Sequence, residues 1–579
     1  MKGKKGLTLP YMLGLALQEQ SEIGENHDMN RKCFCAVFMS MKDRRIGTWL
    51  ALALTALATM PCHALTCKTM CHYVAYEIAF WPENTPVTAD NYRKIRLNGF
   101  SSLPMDALVF APVLGFGSMA ANLRTSSPLL VTPASDSVWL RGYKNGMGEM
   151  LKAGWDPISE TAKWCKEKKK ECIVALPVNI MAHGGKPDSK RSPGSWYAYL
   201  WPPFKTQNPT CLMGGADGSG PGGLHVDYGE AKVRDTFAAI ACEIASKYEI
   251  DAIMVDFMMY PRLLKGVAAG GTASAKEVEA ITQMMSKIRT ACRGKIAFGA
   301  RVPDSVGYCQ AIGIGLKNWL ESKLLDFVVL GGSFQLNKWK VTGELAAKSG
   351  IPYYVSFCPS GIYVGNDSGW SGDDERLPRQ SRQTYAARIT DAMLDKAAGC
   401  MYSFGMHHEH TIAYGEVVPF DEAKVRSADK RYFVTYTNDR AAGGELLKDD
   451  AKFHGLPSLL SGSPVDLAGG LVKYKIEVWD NLAERAKAGE SPKATLVTEA
   501  SIPSGIETVV MFNGKEYKPF KKRAGTQLYD IPPAAVKYGA NEVSVKAKGR
   551  NKRGQTAKLG NIAVEIAYPK KDASGEAGK

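Results

Sequence analysis

A chain of 579 residues, 45% hydrophobic and 23% charged, has room for two or three domains and an ordinary globular composition, which excludes a low-complexity or disordered polymer. Its formal net charge is +15, but the lysines and arginines are scattered rather than gathered into one basic, aromatic-interleaved block. That pattern reads as a solvated surface and argues against nucleic acid as a partner.

Near the start, Met41-Lys42-Asp43-Arg44-Arg45 leads into an apolar run from Ile46 to Met60, too short to span a bilayer comfortably, and Cys62-His63-Ala64 follows with small residues where a signal peptidase reads. Residues 41–64 are expected to be a secretory signal peptide and residues 1–40 a possible upstream extension. The product is then exported, to the periplasm, the cell surface or the medium, with no stable membrane insertion after cleavage. Ten of the 13 cysteines follow the cleavage site, an even number that permits disulfides, with Cys67 and Cys71 as candidates. Cys165, Cys172, Cys242, Cys292 and Cys400 sit in apolar or helical contexts that suit buried free thiols.

From Tyr73 onward eight apolar runs have the character of buried strands: Tyr73 to Phe80, Ala107 to Pro112, Cys172 to Asn179, Ala252 to Phe257, Lys295 to Val302, Phe327 to Leu330, Tyr353 to Cys358 and Cys400 to Phe404. Between most of them lie segments of helical spacing, such as Ile158 to Lys169, Ala275 to Arg293, Leu316 to Ser322, Gly343 to Ser349 and Ser381 to Lys396. Eight strand and helix alternations predict an α/β fold, a (β/α)8 TIM barrel over residues 65–437. A doubly wound sheet is the alternative, but no Gly-x-Gly-x-x-Gly turn opens a strand-helix unit, and Gly214 to Gly223 reads as a loop. After a linker at 438–468, period-two runs such as Val472 to Val478 and Thr508 to Phe512, with the turn Asn513-Gly514, predict a small all-β sandwich over 469–569. Residues 570–579, small and charged, are expected to be a disordered tail.

The most informative stretch is Asp227 to Pro261. Val233, Phe237, Ile240, Ala241 and Ile244 recur at helical spacing, Ala252 to Val255 is continuously apolar, and Asp256 comes where that run stops. In a β/α barrel the C-terminal end of a strand carries catalytic side chains. A capping or turn aspartate before Pro261 is the simpler alternative.

The blocks Gly154-Trp155-Asp156-Pro157, Leu176 to Asn179, Asp227 to Pro261, Gly299 to Pro303, Gly313 to Trp319 and Asp429 to Phe433 occur in an order that resembles the exported glycosyl-hydrolase-like barrels of the glycoside hydrolase family 10-like group, over roughly Tyr73 to Thr437. The run from Phe512 to Lys515, with Tyr529 to Pro533 and Gly539 to Asn541, is similar to the small β-sandwiches that accompany them. The resemblance implies an exported glycoside hydrolase acting on a poly- or oligosaccharide. The alternative is a catalytically inactive carbohydrate-binding or surface-scaffold protein on the same barrel. The chain departs from the pattern within Pro177 to His183, which keeps Asn179 and His183 of an Arg-x-Asn-Asp-x-His-like stretch but loses two polar positions, and at Phe257, Met258 and Met259, where relatives often carry a further polar residue.

Glycoside hydrolysis usually needs two carboxyl groups, one donating a proton and one ionised. Asp256 is the first candidate; Glu77 on the first strand, Asp304 after the fifth and Glu409 after the eighth are candidate partners. Glu77 could instead pair with an interior cation such as Arg301, and Asp304 could cap the helix after Pro303. Asn179 and His183 at the end of the third strand, Arg301, and one of His407 and His408 are candidate hydrogen-bonding contacts to substrate. Trp196, Trp201, Tyr260, Trp370 and Tyr402 are candidate stacking surfaces for sugar rings, or packing onto the barrel. No metal or other cofactor is expected: no cysteine pair has zinc spacing, and four consecutive residues, His407 to His410, cannot all converge on one ion in a regular element.

Overall fold

The computed structural model describes residues 64–569 apart from 75–77, 79–80, 116–117, 120–122, 126, 129–142, 145, 180–202, 259–260, 333–334, 358–381, 404–416, 435–449, 454, 457–463 and 524. Eight parallel strands close into a barrel: β1 (Thr69–Val74), β2 (Ala107–Ala111), β3 (Glu171–Pro177), β4 (Ala252–Asp256), β5 (Ala297–Val302), β6 (Phe327–Leu330), β7 (Tyr353–Phe357) and β8 (Gly399–Tyr402), each hydrogen-bonded to its neighbours in chain order, with β8 returning to β1. Nearly every residue of these strands is buried. That is why they read as continuous apolar runs: a parallel strand with helices outside and a filled lumen inside has no solvent face. The first strand differs from the sequence expectation, beginning at Thr69 and ending at Val74, so Glu77 lies beyond it and outside the described residues.

Helices α1 (Pro157–Glu167), α2 (Ala231–Lys247), α3 (Ala275–Cys292), α4 (Leu316–Glu321), α5 (Trp339–Lys348) and α6 (Arg382–Leu394) lead into β3 to β8 respectively. Their starts follow local chemistry. Asp156 caps α1, its carboxylate accepting from the Ile158 N–H at 2.8 Å with Pro157 in the first helical position. Ser274 and Glu277 form a capping box on α3. Helix α5 starts four residues earlier than the sequence spacing suggests, because Trp339 is buried among Phe357 and its neighbours. Between β1 and β2 the described residues include a short α-helix, Ala89–Tyr92, continued by a π-helical turn, Arg93–Leu97, and a 3-10 turn, Asn98–Ser102.

Two antiparallel sheets follow. The first contains Lys430–Phe433, Lys558–Ala567, Lys493–Ser501, Thr526–Ile531 and Lys521–Arg523 in that spatial order; the second contains Val472–Val478, Gly539–Gly549, Ile506–Phe512 and Lys515–Tyr517. Leu496, Tyr529 and Val564 from the first sheet and Ile476, Phe512 and Val543 from the second share one core. Lys430–Phe433, which the resemblance groups with the barrel, pairs antiparallel with Lys558–Ala567. Ala387 of α6 is buried in that second core, while Tyr385 and Ile389 of the same helix belong to the barrel core. A buried pair, Lys430 Nζ to Asp480 Oδ1 at 3.0 Å, closes the base of the β-region, and the Tyr432 hydroxyl donates to Asp480 Oδ2 at 3.1 Å.

Among the described residues no helix is long and apolar enough to cross a membrane. Cys67, Cys71, Cys165, Cys172, Cys211, Cys242, Cys292, Cys309 and Cys400 are all free thiols, and all but Cys242 are buried. This corrects the expectation of a disulfide at Cys67 and Cys71, which are built into the barrel core.

Candidate active site

Asp256 is the last residue of β4, and the β4–β5 register sets it directly beside Arg301. Both are fully buried, and Arg301 Nη1 donates to Asp256 Oδ2 at 3.1 Å. The other carboxylate oxygen, Oδ1, accepts from the Met258 N–H at 2.8 Å. Arg301 Nε donates to the Gly331 carbonyl at the end of β6, 3.2 Å away, so the guanidinium ties β4, β5 and β6 together at the C-terminal rim. A Cβ at Gly332 would lie 2.2 Å from Arg301 Nη2, so a side chain there would displace the guanidinium from this position. Both carboxylate oxygens of Asp256 therefore accept a hydrogen bond, one from the guanidinium and one from the backbone.

His72 of β1 is a member of the same buried constellation that the sequence reading missed. It is fully buried, within electrostatic reach of both Asp256 and Arg301. Burial pushes its imidazolium down to about 4, with Asp256 opposing and Arg301 reinforcing that fall, so the ring is neutral at pH 7. A lone histidine in an apolar strand carries no local signal; only barrel closure brings β1 to face β4 and β5.

The other described candidates take structural positions. Asp304 does not cap the following helix; Ser305 does, its hydroxyl accepting from the Tyr308 N–H. Asp304 instead reaches the segment after β6: Oδ1 accepts from the Leu336 N–H at 2.9 Å and Oδ2 from the Asn337 N–H at 3.4 Å. Burial pushes its carboxyl up to about 7, against those backbone bonds and the Arg388 charge. Asn179 is buried, donating through Nδ2 to the carbonyls of Val226 and Arg262 and accepting from the Val226 N–H, so its polar groups serve the backbone rather than a ligand. Tyr402 is corrected from a stacking surface to a core residue: its ring meets Tyr385 and Phe357, and its hydroxyl donates to the Val418 carbonyl and accepts from the Val418 N–H. Arg301 is likewise corrected from a substrate contact to the partner of Asp256. Glu77, His183, Trp196, Trp201, Tyr260, Trp370, His407, His408 and Glu409 lie outside the described residues. Among the described residues no group of three or more histidine, cysteine, aspartate or glutamate side chains is placed to hold a metal ion.

No family model and no curated protein sequence matches the chain. Solved structures similar to it include the glycoside hydrolase domain of PgaB (BpsB) from Bordetella bronchiseptica, with 10% identity and a TM-score of 0.33 over 58% of this chain and 94% of that one. A bacterial fucosidase matches with 9% identity and a TM-score of 0.30 over 84% and 93% of the two chains. The chitinase RmChi1 from Rhizomucor miehei matches with 10% identity and a TM-score of 0.30 over 58% and 94%. Similarity this low carries no argument about what the chain does.

Proposed function

We propose that the chain is an exported carbohydrate-active (β/α)8 barrel with an accessory β-sandwich, and that it cleaves O-glycosidic bonds of a poly- or oligosaccharide. The observation that supports this most is the carboxylate of Asp256 at the C-terminal end of β4, 3.1 Å from the Arg301 guanidinium. A carboxylate whose two oxygens both accept hydrogen bonds suits the nucleophile, base or charge-stabilising half of glycoside hydrolysis rather than the proton donor. The donor is assigned to Glu409 or Glu77, which follow β8 and β1. In the closed order β8 is four strands from β4, across the barrel, and β1 is three strands away.

A second reading is favoured by one specific observation. Both oxygens of Asp256 are already engaged and the group is fully buried. A barrel that has turned its rim aspartate into a structural tie would bind sugars without cutting them.

The two readings separate in a test of paired variants. Asp256→Asn alone leaves Arg301 as an uncompensated buried cation and is expected to lose about 3–5 kcal/mol of stability. Asp256→Asn with Arg301→Met removes both charges and is expected to fold like the wild type. On a panel of plant and bacterial glycans the wild type should release reducing ends and the folded double variant none. Turnover retained by the double variant sinks the role of Asp256, whereas binding without turnover by the wild type favours the second reading.

A further inference from the structure

The scattered basic charge of the sequence conceals one local concentration that the fold brings to a single edge. Lys515–Tyr517 is the end strand of the second sheet of the β-region, and Lys521–Arg523 is the end strand of the first. The segment between them therefore passes from one sheet to the other along the open side of the two sheets, anchored where the Phe520 N–H donates to the Leu528 carbonyl at 2.9 Å. Lys515, Lys518, Lys521, Lys522 and Arg523 are all exposed, and Glu516 is the one acid within the segment. None of these five cations has an ion-pair partner among the described residues, although Asp530 is exposed on the neighbouring strand. Phe520, in the middle of the strip, is 61% exposed.

Lysines on an edge strand also serve to block edge-to-edge association, and that is the simpler account of the charge. It does not account for Phe520, because an exposed aromatic ring on an open edge promotes the contacts that edge charges exist to prevent. A ring flanked by cations that have no ion-pair partner among the described residues, Lys515 lying 5.6 Å from the Tyr517 ring, instead matches a linear ligand with regularly spaced anionic groups and flat apolar faces between them. A lipid surface would need more than one apolar anchor, and single-stranded nucleic acid is ordinarily held by several stacking rings.

We infer that the edge formed by Lys515 to Arg523 binds a strand of acidic polysaccharide, the cations meeting its carboxylate or sulfate groups and Phe520 stacking on a sugar ring. The choice of a sugar polymer rests on the carbohydrate reading of the barrel, while the edge itself does not depend on catalysis. Binding to immobilised polygalacturonate is therefore measured on the full-length protein irrespective of whether any glycan is cleaved. The wild type is expected to bind, to weaken as salt is raised, and to ignore neutral dextran. Lys521→Glu with Lys522→Glu and Arg523→Glu is expected to lower affinity tenfold or more. Phe520→Ala is expected to lower it several-fold at a salt concentration where the charges are screened. Because all four positions are exposed, the melting temperature should not move. Binding of polygalacturonate that is equal in wild type and variants overturns the inference, as does absence of binding. Stronger binding of single-stranded DNA or phosphatidylserine vesicles through the same residues overturns it too. None of these outcomes bears on hydrolysis at Asp256, which is read by turnover.

Discussion

Asp304 shows how far one buried carboxyl can set the pH response of a fold. Its pKa is pushed up to about 7 by burial, whereas an unfolded aspartate titrates near 4. Between those values the folded chain holds a proton that the unfolded chain has released. The stability contributed by this group is therefore complete below about pH 4 and is lost as pH rises through about 7, with a slope of up to about 1.4 kcal/mol per pH unit. His72 acts in the opposite sense, since its folded pKa is lowered to about 4 and the unfolded ring takes up a proton first as pH falls. Comparing wild type with Asp304→Asn isolates the aspartate, because His72 is common to both. In urea unfolding across pH 4 to 7, the stability of the wild type relative to the variant should fall as pH rises; a flat difference would contradict the assignment. Nothing in the local sequence announces this behaviour. Pro303-Asp304-Ser305 resembles a helix cap, and it is the distant backbone at Leu336 and Asn337 that decides otherwise.

At the scale of elements the barrel strands were the legible part of the sequence. Each is buried on both faces, so apolar content alone marks it, and seven of the eight lie where the runs predict them. The first was misplaced because Thr69 to Val74 includes His72, whereas the more apolar-looking stretch continues after it. Asp256 was legible because it ends such a run. Its partner was not, since the choice between Glu77 and Asp256 as the acid beside Arg301 depends on strand register, which periodicity does not encode. The spacing of β5 and β6 that places Arg301 depends on Gly299, where a Cβ would lie 2.4 Å from the buried Phe327 ring. Gly299→Ala is expected to lose about 1–3 kcal/mol by overpacking, measured as a lower urea midpoint with an unchanged m-value. An unchanged midpoint would mean that the two strands adjust without cost.

For the whole molecule, the barrel and the β-region are joined by shared packing rather than by a tether alone. Helix α6 places residues in both cores, and Lys338, just before α5, forms an ion pair with Glu477 in the second sheet. Lys430–Phe433 then supplies the first sheet with an edge strand from the barrel side of the chain. Unfolding either part strips apolar surface from the other, so calorimetry should record one transition with matching calorimetric and van't Hoff enthalpies. Two resolved transitions would show that the shared helix is dispensable to one of the cores. The free thiols give this cooperativity a built-in clock. Burial raises Cys71 and Cys292 to about 12, and both are closed to solvent in the folded chain. A thiolate-seeking reagent therefore meets them only in molecules that have opened, so the rate of labelling at each cysteine reports how often its own neighbourhood comes apart.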